Sequence, residues 1–215
     1  MSRRTGLSRT QWIASVQSVL FFGLAIGVIQ PFSLKFATEV ASNPVSDIIL
    51  SNIPVFDVDL IFVYGMLLLI GFIAILCAHH PRRIPFMLNS LSLFIIIRCI
   101  FISLTHVGPF LPHTSTEFGP LITHLFFGAD FFFSGHTGAP FLMALMYWRE
   151  KLLRIVFLLW SVVFATIVLL GHLHYSIDVA AAYFITYSIY HLAVQFFPIS
   201  RQWFVVDDPT EKAFI

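Results

Sequence analysis

VDLIFVYGMLLLIGFIAILCA, residues 58–78, decides the class of fold. A helix needs about 20 mostly apolar residues to cross a bilayer, and this stretch supplies them. Five more stretches read the same way, at roughly 12–34, 84–105, 132–148, 152–171 and 177–197. The composition agrees: 58% of the 215 residues are hydrophobic, 11% are charged and 25 are Phe. Mean hydropathy is +0.89. A soluble domain is about half apolar and about a quarter charged, so an ordinary water-soluble fold is excluded. The net charge of +1 gives no electrostatic basis for a nucleic-acid partner. Cys77 and Cys99 both fall inside apolar stretches, which excludes a disulfide framework or a CxxC metal site.

The expectation is therefore an all-α, polytopic membrane protein with six transmembrane helices. A cytosolic segment over residues 1–11 precedes a six-helix domain over 12–199, and a short, polar, mobile cytosolic tail follows over 200–215. The fourth stretch carries Gly135, Gly138 and Pro140, and proline is tolerated near a helix start, so its helix is expected to begin near Ser134. The first stretch follows Arg3, Arg4 and Arg9 but lacks a small-residue cleavage site, so it reads as an uncleaved span.

Charge sets the expected orientation. With six spans, Arg3, Arg4, Arg9, Arg82, Arg83, Arg149, Lys151, Arg154, Arg201 and Lys212 share one side, ten of the twelve cations. Cytosolic loops attract Lys and Arg, so both termini are expected in the cytosol. The opposite side gathers Glu39, Asp47, Asp57, Asp59, Glu117, Asp130 and Asp178, together with His106, His113, His124, His136, His172 and His174.

Two segments on that side carry chemistry: Asp130-Phe-Phe-Phe-Ser-Gly-His-Thr-Gly138 and Gly171-His-Leu-His-Tyr-Ser-Ile-Asp-Val179. His174 and Asp178 stand four apart, which places both on one helix face. A carboxylate holding one imidazole nitrogen fixes the tautomer and leaves the other nitrogen free to attack an electrophile. His136 can then protonate a leaving oxygen or deprotonate an acceptor hydroxyl. Ser134-Gly135 reads as a helix cap followed by a close backbone approach, and exposed N–H groups at a helix start bind phosphate oxygens. Arg98, inside the third span, can add a planar, permanently charged fork. Together these groups read as phosphoryl transfer. Each has a plainer reading: Gly135 and Gly138 can serve helix packing, and a His–Asp pair can be structural.

Phe-Ser-Gly-His-Thr (133–137) combined with His-Tyr-Ser-Ile-Asp-Val (174–179) resembles the signature of the sphingomyelin synthase family, within the type 2 phosphatidic acid phosphatase superfamily. The likeness extends to Asp130, to Arg98 ahead of Ser103 and Thr105, and to Pro54-Val55-Phe56-Asp57, and runs from about residue 50 to residue 190. Gly128 stands where that family usually has Cys. The resemblance implies a phosphatase-like six-helix bundle with an outward-facing site. His136, His174 and Asp178 would be catalytic, Arg98, Ser134 and Gly135 would bind the phosphate, and Asp130, Asp57 and Tyr175 would support them. It implies no metal and no cofactor.

The reading is a lipid phosphotransferase that moves phosphocholine or phosphoethanolamine from a phospholipid donor to a lipid acceptor such as ceramide or diacylglycerol. A lipid phosphatase or phospholipase C-type hydrolase shares the first half-reaction; whether water enters the closed site separates the two. A metal or proton-coupled transporter built on His172, His174 and Asp178 is the alternative of another class, and a catalytically silent lipid-binding scaffold is a fourth.

Overall fold

The computed structural model describes residues 7–111 and 132–206, and among them the only regular elements are helices. The elements are α1 (Arg9–Glu39), α2 (Asp59–His79), α3 (Ile84–Leu104), α4 (Gly135–Met146), α5 (Lys151–Leu170), α6 (Ser176–Phe196) and α7 (Pro198–Val206). Asp130, Glu117, His113, His124, Arg3, Arg4 and Lys212 lie outside the described residues.

Five helices are long and apolar enough to cross a membrane: α1, α2, α3 with its preceding turn, α5 and α6. The chain is a multi-pass membrane protein. The fourth expected span is shorter than the sequence suggested. Helix α4 has 12 residues, a rise of about 18 Å, against about 30 Å of hydrocarbon. It starts where expected, with the Ser134 hydroxyl accepting the Thr137 N–H, and stops before the charged pair Arg149-Glu150.

Helix α1 is longer than the apolar run. Ser8 and Gln11 form a reciprocal capping box that starts it at Arg9. Pro31 does not end it, because Ala25–Ile29 widens into a π turn, with the Gln30 N–H reaching Ala25, just ahead of the pyrrolidine ring. Small hydroxyl residues dock α1 on α3: Ser18 donates to the Pro85 carbonyl at 3.3 Å and Ser33 to the Cys99 carbonyl at 2.9 Å.

Helix α4 lies between α3, α5 and α6, with Leu142, Met143 and Ala144 fully buried among Phe86, Phe94, Phe157 and Ala182. Gly138 serves this packing. A Cβ there would stand 2.8 Å from both the Phe94 ring and the Thr186 hydroxyl.

At one end of the bundle lie the α4 N-terminus, the start of α6 and segments 42–58 and 105–110. At the other, Tyr147 and Glu150 meet Arg83 and α7. Helix α7 corrects the expected tail, since residues 200–206 continue as a helix whose Phe204 is buried against Phe86 and Tyr147.

Candidate active site

Three helix ends build the site. At the start of α6, His174 Nδ1 lies 3.3 Å from Asp178 Oδ2, with both side chains buried. The same carboxylate oxygen accepts the Tyr175 N–H at 3.0 Å. Asp178 is thus fixed both as the helix's first-turn acid, a favourable position against the helix dipole, and as the partner of one imidazole nitrogen. That arrangement commits Nδ1 to the carboxylate and makes Nε2 the ring nitrogen not engaged by Asp178.

The α4 N-terminus is tied to this corner through backbone. The Ser134 N–H donates to the Asp178 carbonyl at 3.2 Å. The Ser134 side chain, fully buried, caps its own helix by accepting from Thr137 N and Thr137 Oγ1. Arg98, 6% exposed within α3, donates its Nε–H to the Phe133 carbonyl at 3.1 Å. A Cβ on Gly135 would lie 3.0 Å from Arg98 Nε and 3.4 Å from Cζ. The guanidinium therefore packs closely on the first turn of α4, where any side chain larger than glycine's would crowd it. A cation and the positive end of a helix dipole meet at one point, the charge pattern of an anion site.

His136 projects from that same first turn. Its ring lies 4.0 Å from Phe62 of α2 and 5.8 Å from Phe164 of α5, centroid to centroid, so its immediate wall is aromatic. The structure thereby joins Arg98, Ser134, Gly135, His174 and Asp178 through direct contacts and seats His136 one residue beyond Gly135. Tyr175 is buried beside the His174–Asp178 pair, its hydroxyl donating to the Gly108 carbonyl at 2.7 Å and accepting the Val45 N–H at 3.3 Å. Burial raises its pKa, the Val45 hydrogen bond lowers it, and the charges of Asp178 and Asp47 raise it further. The net shift is upward, so the phenol keeps its proton and remains a brace. Asp57 is not brought into this cluster. It is exposed, and its Oδ1 accepts the Asp59 N–H at 3.2 Å at the start of α2.

Three residues absent from the sequence-based site belong to its frame. Asp47 holds segment 40–58 against α6: Oδ1 accepts the Ile49 and Leu50 N–H groups, and Oδ2 accepts the Ser176 N–H at 2.7 Å and its hydroxyl at 2.8 Å. Burial pushes its pKa up, but these donors outweigh burial and hold the carboxyl below its ordinary value. Asp59, 5% exposed in the first turn of α2, shares a face with Phe62, the residue that stacks on His136. An acid in the first turn of a membrane helix was the available signal. Phe133, fully buried with φ 72°, takes a backbone conformation that bulky residues rarely adopt, and its carbonyl is the one Arg98 holds. No sequence signal marks it.

Among the described residues no group of three His, Cys, Asp or Glu side chains is arranged to hold a metal ion. His172 instead meets the edge of Phe110 at 5.3 Å.

Residues 128–195 match the family model described as PAP2 superfamily C-terminal. The matched stretch contains α4, α5 and nearly all of α6, and so both histidine motifs; Arg98 and Asp47 precede it. This part of the chain is similar to that family's C-terminal domain, and the likeness covers less than half of the chain's length. No curated protein and no solved structure matches the chain.

Proposed function

We propose that this protein is a membrane lipid phosphotransferase that passes a phospho-head group from a glycerophospholipid to a lipid hydroxyl through His174. The observation that carries the reading is the buried His174–Asp178 pair, hydrogen-bonded through Ser134 to a helix start that Arg98 overlies.

The chemistry follows from those positions. The donor phosphate seats its oxygens on the α4 N–H groups and the Arg98 fork, which draw electron density from phosphorus. His174 Nε2 attacks, an N–P bond forms, and the phosphoester bond to the diacylglycerol oxygen breaks. His136 gives that oxygen its proton. Asp178 holds Nδ1–H throughout and offsets the positive charge that grows on the ring. In the second half, His136 takes the proton of the acceptor hydroxyl, whose oxygen displaces His174 from phosphorus and restores the free imidazole. Phe62 and Phe164 around His136 support transfer over hydrolysis, because an aromatic wall disfavours water near the base.

The same reading treats α4 as a sixth, foreshortened pass, which places both termini on the cytosolic side and the site on the exoplasmic face. The cation distribution supports it: Arg82, Arg83, Arg149, Arg154 and Arg201 all belong to the end opposite His174.

Reconstituted protein given head-group-labelled phosphatidylcholine and phosphatidylethanolamine, with ceramide and diacylglycerol together, tests the proposal. Label in a new lipid is expected. Label released only into water-soluble product overturns transfer in favour of hydrolysis, and no release of label overturns both.

A further inference from the structure

Helix α5 carries one hydroxyl that its membrane setting does not explain. Ser161 is fully buried at the middle of a 20-residue, mostly apolar helix. Several other hydroxyls of the bundle return to their own helix: Ser90 donates to the Phe86 carbonyl, Ser92 to Leu88, Thr166 to Val162 and Ser188 to Phe184, each four residues back. Ser161 crosses to α4 instead and donates to the Thr137 carbonyl at 2.8 Å. A carbonyl only accepts and a serine hydroxyl has one proton, so the Tyr183 hydroxyl of α6, 3.2 Å away, donates to Ser161 Oγ. The Tyr183 ring stands edge-on to Phe141 of α4, 5.0 Å between centroids.

The acceptor lies in the turn that the proposed chemistry uses. Thr137 is fully buried, and Ser134 already holds its N–H and its hydroxyl. One residue after His136, the backbone N–H, the hydroxyl and the carbonyl are thus all engaged. Pro140 gives that turn a need for outside support. It has no N–H to donate back into the first turn of α4, which keeps one intrahelical bond fewer. Helix α5 reaches the turn a second time through Phe164, three residues from Ser161 and on the same face, whose ring lies 5.8 Å from that of His136. One face of α5 therefore meets both the backbone beside His136 and the imidazole itself.

We propose that Ser161, backed by Tyr183, is a positioning residue for His136: by fixing the Thr137 carbonyl it sets the direction in which the imidazole leaves α4. Its effect on turnover rests on the phosphotransfer reading above, while the geometry rests on the contacts alone. Arg98 keeps its own bond to the Phe133 carbonyl, so donor binding is left in place.

Two measurements on the full chain test this. The first is nuclear magnetic resonance of the detergent-purified protein with isotope-labelled histidine ring nitrogens. Loss of a signal in His136→Gln identifies His136, and loss in His174→Ala identifies His174. Ser161→Ala is expected to move the His136 signal and leave that of His174 in place. The second is turnover in vesicles of head-group-labelled phosphatidylcholine with ceramide, where Ser161→Ala is expected to lower kcat about tenfold and to leave KM within about twofold. An unmoved His136 signal overturns the proposal, and so does equal movement of both signals or a wild-type kcat. Should Ser161→Ala fail to fold, Tyr183→Phe decides, because it removes only the donor behind Ser161. The same signal should then move and kcat fall severalfold, and wild-type values of either overturn the proposal. A wild-type protein that transfers no head group overturns the phosphotransfer reading instead, and the two histidine signals still decide whether Ser161 positions His136.

Discussion

Gly135→Ala puts the proposed anion site under the smallest perturbation it can feel. The added methyl would stand 3.0 Å from Arg98 Nε, 3.4 Å from Cζ and 3.6 Å from Cδ. Relaxed contacts between such atoms begin near about 3.5 Å, so the guanidinium must withdraw by about 0.5 Å. Its bond to the Phe133 carbonyl, 3.1 Å now, then stretches to about 3.6 Å, a length at which it no longer counts as a hydrogen bond. Losing a bond to a buried charge costs about 1.5–3 kcal/mol. Alanine's better helix propensity returns up to about 1 kcal/mol. The net expectation is a fold weakened by about 0.5–3 kcal/mol. Since a misplacement of about 1 Å can cost about a hundredfold in rate, half of that should cost about tenfold in kcat. Thermal unfolding and labelled-lipid turnover of the reconstituted variant measure the two numbers. A double-mutant cycle with Arg98→Ala, read by thermal unfolding, separates contact from coincidence: alanine removes Cδ, Nε and Cζ together, so Gly135→Ala should cost little more in that background. Wild-type turnover in Gly135→Ala, or strict additivity with Arg98→Ala, would refute the placement of the guanidinium over this turn.

Three further outcomes are expected. Asp178→Asn keeps an acceptor for the Tyr175 N–H but removes the charge facing His174; turnover should fall by about a hundredfold or more while near-wild-type thermal unfolding persists, and His174→Ala should be inactive. Turnover of the proposed phosphotransferase should survive a strong chelator unchanged, whereas loss on chelation, restored by added metal, would point to a metal-dependent route. Asp47→Asn should loosen segment 40–58 from α6 and cost about 1–3 kcal/mol, read by urea or thermal unfolding. Because the folded Asp47 carboxyl lies below its ordinary 3.8, its contribution is fully present above that pH and is lost as pH falls through the lower folded value. Acid sensitivity below about pH 4 should therefore be blunted in the Asn variant, and an identical acid-unfolding curve for both proteins would remove Asp47 from that role.

The spans that sequence placed best are those bounded by charge. Residues 58–78, 84–105, 152–171 and 177–197 come within a residue of α2, α3, α5 and α6, because an apolar run that stops at Asp59, Arg83, Lys151 or Asp178 states its own ends. Helix α1 outran its expected bounds of 12–34 at both ends, because the Ser8–Gln11 capping box starts it at Arg9 and Lys35 and Glu39 close the apolar run without ending the helix. Helix α4 fell short because its length is set by Ser134 at one end and the Arg83–Glu150 pair at the other, and the partner of that pair lies 67 residues away. The site divides in the same manner. His174 and Asp178 were readable because their contact is local, one helical turn. Asp47 was not, because its partner Ser176 is 129 residues distant and nothing near it in the chain announces the meeting.

The shortness of α4 has a consequence for which molecules reach His174. Helices α2, α3, α5 and α6 each run 20 or 21 residues, about 30 Å, whereas α4 covers little more than half of that. On the proposed orientation its N-terminus stands level with the first turn of α6 but meets α3 at Arg98, about 9 Å of rise below the Leu104 end of that helix. A freely dissolved phosphate ester would have to shed its water to descend that far, while an amphiphile already anchored by its tails need only slip sideways. Depth itself then acts as a selectivity filter, favouring lipids before any head-group contact is made.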